Sequence, residues 1–329
     1  MEASPATDLV LAGTADTERR LVWIMGSPRT GSTWLLRLLC HPWGVGRTPT
    51  GIDESRFRPR GRNVVPVNES YLMHHIGPMK ETLPEPGTST GGSLLLNDLR
   101  ASDPAYFFSD AYTPVWREGL RRLALERFEA QAELAAAEHR MSGPPLLLIK
   151  EPNGSHAADL LARLLPGSRL IFLLRDGRDV VDSMLDADSE GGWRTRTEGI
   201  VPLRTSEQRL AAVRRQGQLW LLRTIAVERA EAMLGPQQAI RVRYEDLLAG
   251  TASELGRLDR WLGLGRSDRQ IAAAVRHHRF GSLRNRLRGR RKGVRAASPG
   301  LWRSNMTAAE QEALTELIGP KLLELGYEV

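Results

Sequence analysis

A single cysteine, Cys40, occurs in the whole chain, so no intramolecular disulfide can form and a reducing compartment is expected. Lysine is almost as scarce. It stands only at positions 80, 150, 292 and 321, so the net charge of +7 is carried by arginine. No apolar run approaches the roughly 18 residues that a membrane-spanning helix needs. The first twenty residues lack the basic-then-apolar order of a secretory signal and carry Glu2, Asp8, Asp16 and Glu18. We therefore expect a flexible N-terminal tail over 1–18, a cytoplasmic protein and no membrane partner. No internal repeat and no long low-complexity linker is present. The arginine- and alanine-heavy composition points to a GC-rich bacterial source.

What remains is ordinary for a globular protein: 329 residues, 41% apolar and 26% charged. Most arginines alternate with acids on helical stretches such as 117–140, the pattern of a solvated face. The one dense basic run, Arg284 to Arg295, lacks the interleaved aromatics on which single-strand binders stack bases. No nucleic-acid partner is expected, although a binder of long polyanions through this run stays open as an alternative. Cys40 follows Leu38 and Leu39 in an apolar helical stretch and is read as packing.

Three continuous apolar runs read as buried parallel strands: Leu21 to Met25, Leu146 to Ile149 and Leu170 to Leu174. A helical pattern from His156 to Leu165 connects the last two, and Ile240 to Tyr244 is a weaker fourth strand. Helices are expected over 115–141, 178–187, 206–233, 252–262 and 308–325. The stretches 42–114 and 188–205, rich in Pro, Gly, Asn and Thr, show no sustained period. We read them as irregular substrate-side insertions in a single domain, 19–329.

Immediately after the first strand comes Gly26-Ser27-Pro28-Arg29-Thr30-Gly31-Ser32-Thr33-Trp34. A strand, a glycine turn and a helix N-terminus together aim backbone N–H groups at an anion. The pattern is G-x-x-x-x-G-S-T, with Ser32 where a Walker A loop has its lysine, which disfavours an ordinary ATPase or GTPase. Arg29 supplies a cation three positions earlier. The strand 170–174 likewise ends in Arg175, where a nucleotide hydrolase would hold magnesium with an acid; Asp176 comes one position late. An arginine at such a strand end lies in the crevice where parallel sheets bind ligands, and its planar fork fits a phosphate. Ser183 falls two turns into the next helix, facing the same cleft. A magnesium-dependent kinase remains the principal alternative.

Pro28-Arg29-Thr30-Gly31-Ser32-Thr33-Trp34 resembles the 5′-phosphosulfate loop of sulfotransferases that use 3′-phosphoadenosine-5′-phosphosulfate (PAPS). Arg175 and Ser183, eight residues apart, resemble that family's 3′-phosphate grip, and Arg175-Asp176-Gly177-Arg178 resembles its tyrosylprotein branch. The resemblance implies an α/β three-layer sandwich, P-loop NTPase-like, with a central parallel sheet flanked by helices. It implies PAPS as sulfuryl donor, no metal, and a cofactor site of Arg29, Thr30, Gly31, Ser32, Thr33, Trp34, Arg175 and Ser183. Weaker similarities add Tyr244, from Tyr244-Glu245-Asp246, near the adenine, and Arg291-Lys292-Gly293 over the 3′-phosphate. The Gly-x-Trp that should follow the latter comes late, at Gly300-Leu301-Trp302. Ile149-Lys150-Glu151-Pro152 resembles the lysine-containing turn that precedes the second motif.

Transfer to a hydroxyl needs a base within hydrogen-bond reach of the acceptor. The histidine that cytosolic members place after their lysine turn is missing. The run Asp53-Glu54-Ser55-Arg56 resembles the segment that supplies a glutamate base in the tyrosylprotein branch, so Glu54 is the expected base and Glu151 or His156 the alternatives. Arg29, which cannot serve as a proton donor, is the catalytic cation. Trp193, Tyr71, Tyr106, Phe107, Phe108 and Trp116 are expected on the acceptor side. A small-molecule alcohol, phenol or carbohydrate is the expected acceptor.

Overall fold

The computed structural model describes residues 16–41, 46–48, 51–53, 64–76, 101–278 and 299–329. In chain order the elements are β1 (Leu21–Met25), α1 (Ser32–Leu39), β2 (Gly46–Thr48), β3 (Gly51–Asp53), β4 (Val64–Asn68), α2 (Leu72–Ile76) and α3 (Thr113–His139). Then follow β5 (Leu146–Lys150), a 3-10 turn (Pro152–Ala157), α4 (Ala158–Leu164), β6 (Arg169–Leu174), α5 (Gly177–Asp188) and α6 (Trp193–Thr197). The last are α7 (Ser206–Leu234), β7 (Ala239–Arg243), α8 (Tyr244–Ala249), α9 (Thr251–Leu262), α10 (Asp268–His277), α11 (Trp302–Asn305) and α12 (Ala308–Glu324).

Five strands form one sheet in the order β4-β5-β1-β6-β7, every pairing parallel. The central strands are apolar throughout because helices cover both faces: each residue of β1 is at most 1% exposed, and β6 buries Leu170 to Leu174. α7 packs against α4, α5 and α12, so the long helix joins the C-terminal helix to the sheet. β1 is the middle strand. The chain leaves it toward β4 and β5 on one side and later builds β6 and β7 on the other. The crevice at its carboxyl end is therefore the topological switch point at which such sheets bind ligands.

The α/β three-layer architecture matches the expectation from sequence, as do the four strands proposed there. β4 is an addition. Val64–Asn68 lies within a stretch read as irregular, and it carries Pro66 at its centre. It forms the sheet's outer edge beside β5, where a residue without N–H is tolerated. At the other end of the domain, the chain is already anchored before β1. Thr17 and Glu18 are buried, and Glu18 pairs with Arg121 and accepts from the Gly167 amide at 2.6 Å. No helix among the described residues is long and apolar enough to cross a membrane.

Candidate active site

The turn after β1 is held open by two glycines and one strained arginine. Gly26, φ +142°, sits so close to β6 that a Cβ would fall 2.1 Å from the Leu173 carbonyl oxygen. Its amide and carbonyl both bond the buried Ser155 hydroxyl, at 2.9 and 2.8 Å. Arg29 adopts φ 72°, a left-handed backbone that costs a non-glycine residue of order 1–3 kcal/mol and recurs at functional sites. Gly31, φ +92°, caps α1 without any side-chain cap bond, and the first turn of α1 has no acidic residue. The orphan N–H groups of this helix end are thus left for an anion from outside. Two hydroxyls in the same loop, Ser27 Oγ and Thr30 Oγ1, are buried without a hydrogen-bond partner. A phosphosulfate group would satisfy both, so the loop fits one.

Arg175, at the end of β6, closes the loop from the other side. Its Nη1 donates to the Arg29 carbonyl oxygen at 2.9 Å, and its guanidinium lies 4.5 Å from the centre of the Tyr244 ring. Its own carbonyl accepts from the indole of the buried Trp220 at 3.3 Å. Ser183, on α5 and 5% exposed, accepts from Arg29 Nε at 3.0 Å. The two phosphate motifs of the sequence therefore touch directly. Tyr244 also packs edge-on against Trp34 at 6.1 Å, and a Cβ on Gly31 would lie 2.8 Å from its ring carbons. Burial raises the pKa of the Tyr244 phenol, although the nearby Arg175 opposes the shift.

Asp176 is engaged by its own helix. It caps α5 through the Arg178 amide at 2.8 Å and pairs with the Arg178 guanidinium at 2.8 Å. Arg178 in turn stacks on Trp302 at 4.4 Å, and the Gly300 amide bonds Asp179. The late Gly-x-Trp segment thus packs on the helix that carries Ser183. Arg291, Lys292 and Gly293 lie outside the described residues, as does Glu54.

A second polar cluster occupies the carboxyl ends of β4 and β5. Glu69, φ 55°, takes 2.5 Å and 3.3 Å bonds from Lys150 and Asn153. Arg223 of α7 lies near it; desolvation lowers the arginine to about 10, and the charge of Glu69 opposes that. Glu151, one of the alternative bases, is fully occupied. It accepts from the Met73 and His74 amides at 2.6 and 3.1 Å and from the Ser70 hydroxyl. Its carboxylate thereby anchors α2 to the sheet. Burial raises it to about 7, against these bonds. His156 turns Nδ1 to the Asn153 carbonyl at 3.1 Å. The 188–205 stretch reaches the loop through Trp193, whose ring lies 5.7 Å from the Arg29 guanidinium. Sequence reasoning did not foresee that cation–aromatic contact, nor the Arg29–Ser183 bond, because each depends on how separate elements dock.

The family model described as "Sulfotransferase family" matches residues 22–268. No curated protein sequence matches the chain. Among solved structures, the mouse sulfotransferase SULT7A1 complexed with PAP superposes with a TM-score of 0.51 at 11% identity, over 93% of this chain and 85% of that one. Sulfotransferase STF9 from Mycobacterium avium gives 0.47 at 15% identity, over 94% and 78%. The sulfotransferase domain of the Synechococcus PCC 7002 olefin synthase gives 0.47 at 17%, over 94% and 95%. The chain belongs to the sulfotransferase family, in agreement with its phosphate motifs.

Proposed function

We propose that this sulfotransferase moves a sulfuryl group from PAPS to the hydroxyl of a small alcohol, phenol or carbohydrate by in-line displacement, releasing adenosine 3′,5′-bisphosphate. The observation that carries the reading is the loop itself. It is a helix N-terminus with no internal cap and two partnerless buried hydroxyls, and it is bonded to an arginine where a magnesium-dependent enzyme needs an acid. When bound, PAPS supplies a sulfuryl group already activated by its phosphate leaving group.

The protein's own residues then divide the work. Gly31, Ser32 and Thr33 present amides to the 5′ phosphosulfate, with the Thr30, Ser32 and Thr33 hydroxyls beside them. Arg29 opposes the negative charge that grows on the leaving oxygen, an electrostatic role its geometry allows in a site walled by β1 and β6. Arg175 and Ser183 hold the 3′-phosphate, with Arg291, Lys292 and Gly293 assigned to the same group on sequence grounds. Tyr244, with Trp34 packed against it, backs the adenine side of the site. Glu54 accepts the acceptor's proton as the new oxygen–sulfur bond forms. Glu151 is the less favoured candidate for that role, since it already accepts three bonds from α2 and the preceding loop. The reading is tested by incubating the protein with sulfur-labelled PAPS and a panel of alcohols, phenols and sugars. Acceptor-dependent label transfer with equimolar bisphosphate release is expected; magnesium-dependent phosphate transfer from ATP, with no label transfer, overturns it.

A further inference from the structure

His41, His277 and His278 form a cluster away from the transfer chemistry, and no step above uses them. The ligand atoms of the three imidazoles all lie within 4.8 Å of one another. His41 directly follows α1, His277 is the last residue of α10, and His278 caps that helix. The ring centres are close: His41 is 5.1 Å from His277 in a tilted arrangement and 5.2 Å from His278 edge to face, and His277 is 4.8 Å from His278, also edge to face.

The cluster is built on rigid supports. Arg266, 1% exposed in its side chain, pairs with the buried Asp259 at 2.5 Å and donates to the Leu38 carbonyl at 2.9 Å. This fixes the end of α1 from which His41 projects. The Trp34 indole donates to the His278 carbonyl at 2.9 Å, which fixes the end of α10 against α1. Within this frame His278 Nε2 is buried and has no hydrogen-bond partner. Neutral imidazole is the form that binds metal.

We propose that His41, His277 and His278 are a three-histidine site for a borderline-soft transition-metal dication such as Zn²⁺, joining the C-terminal ends of α1 and α10. Imidazole donors favour zinc, copper or nickel over magnesium or calcium, which prefer oxygen ligands. Tetrahedral zinc bonds of about 2.0–2.1 Å place ligand nitrogens roughly 3.4 Å apart. His277 is the exposed member of the three, and a change of its rotamer would have to close the remaining gap. Cys40, one residue before His41, is fully buried and is not among the three. Three protein ligands leave a fourth position for water, and because the ligands come from the ends of two helices the ion would clamp them together. It fastens the helix that begins at the phosphate loop to the one that ends against Trp34.

The test uses the tag-free full chain, stripped with a chelator and titrated with Co²⁺ and then Zn²⁺. Saturable 1:1 binding is expected, with the visible bands of four-coordinate Co²⁺ and their displacement by Zn²⁺. His41→Gln and His278→Gln should each weaken binding at least about 10-fold. His75→Gln, in a separate histidine group, should leave it unchanged, and circular dichroism confirms that each variant is folded. Absence of saturable binding, or equal binding by the folded His41→Gln and His278→Gln variants, overturns the proposal.

Discussion

The guanidinium of Arg175 donates a 2.9 Å hydrogen bond to the main-chain carbonyl of Arg29, at a loop residue held in a left-handed conformation. One motif thus props the backbone of the other, and the same arginine lies on the Tyr244 ring. Arg175→Ala should therefore do more than remove a phosphate ligand. A charge-assisted bond contributes about 1.5–3 kcal/mol, so bisphosphate binding should weaken roughly 10- to 100-fold from that loss alone. Arg175→Lys, which keeps the charge but not the fork, should recover only part of it. Calorimetry on the two variants checks both statements.

Gly31→Ala probes the loop's geometry without touching a charge. The new methyl would sit at φ +92° and 2.8 Å from Tyr244 ring carbons, and that tyrosine is 2% exposed with little room to move. A stability loss of about 1–3 kcal/mol is expected from the backbone strain, together with weakened cofactor binding. Denaturant melts and bisphosphate titration measure the two effects separately.

Glu54→Gln should lower kcat by roughly 10²- to 10⁴-fold, the usual contribution of a general base, and leave bisphosphate affinity unchanged. Single-turnover assays with PAPS and an identified acceptor check this. A variant with kcat near that of the unaltered enzyme would remove Glu54 from the mechanism.

Glu151 predicts a pH dependence of stability. Its carboxyl rises from 4.5 to about 7 on folding, mainly through burial. Folding therefore favours the protonated form: the contribution is fully present below about pH 4.5 and is lost as pH rises through about 7. At 1.36 kcal/mol per pH unit, the swing is at most on the order of 3 kcal/mol. Glu151→Gln cannot ionise, so the stability of the unaltered protein relative to this variant should fall across that window. Thermal melts of both proteins over the same pH series measure it; a flat difference would contradict the assignment.

These residues also show what the sequence could and could not convey. The buried strands were legible because both faces are covered, which leaves unbroken apolar runs at Leu21–Met25 and Leu170–Leu174. The loop and Arg175 were legible because phosphate chemistry confines glycine, hydroxyls and cations to fixed spacings after a strand. β4 was not, since it is a short run inside a Pro-, Gly-, Asn- and Thr-rich stretch without a sustained period, and its own Pro66 is tolerated because the strand is an edge. For Glu151, an alternative base, position alone does not reveal that its oxygens accept from Ser70 and the amides of Met73 and His74. The His41, His277 and His278 group was invisible for a similar reason: only the docking of α10 on α1 brings the three together.

The most direct test of the account is calorimetric titration of the purified protein with adenosine 3′,5′-bisphosphate in the absence of magnesium, beside ATP and the Arg175→Ala variant. The account predicts micromolar bisphosphate binding, much weaker binding of ATP, and loss of the former in the variant. Magnesium-dependent ATP binding with no bisphosphate binding would contradict it.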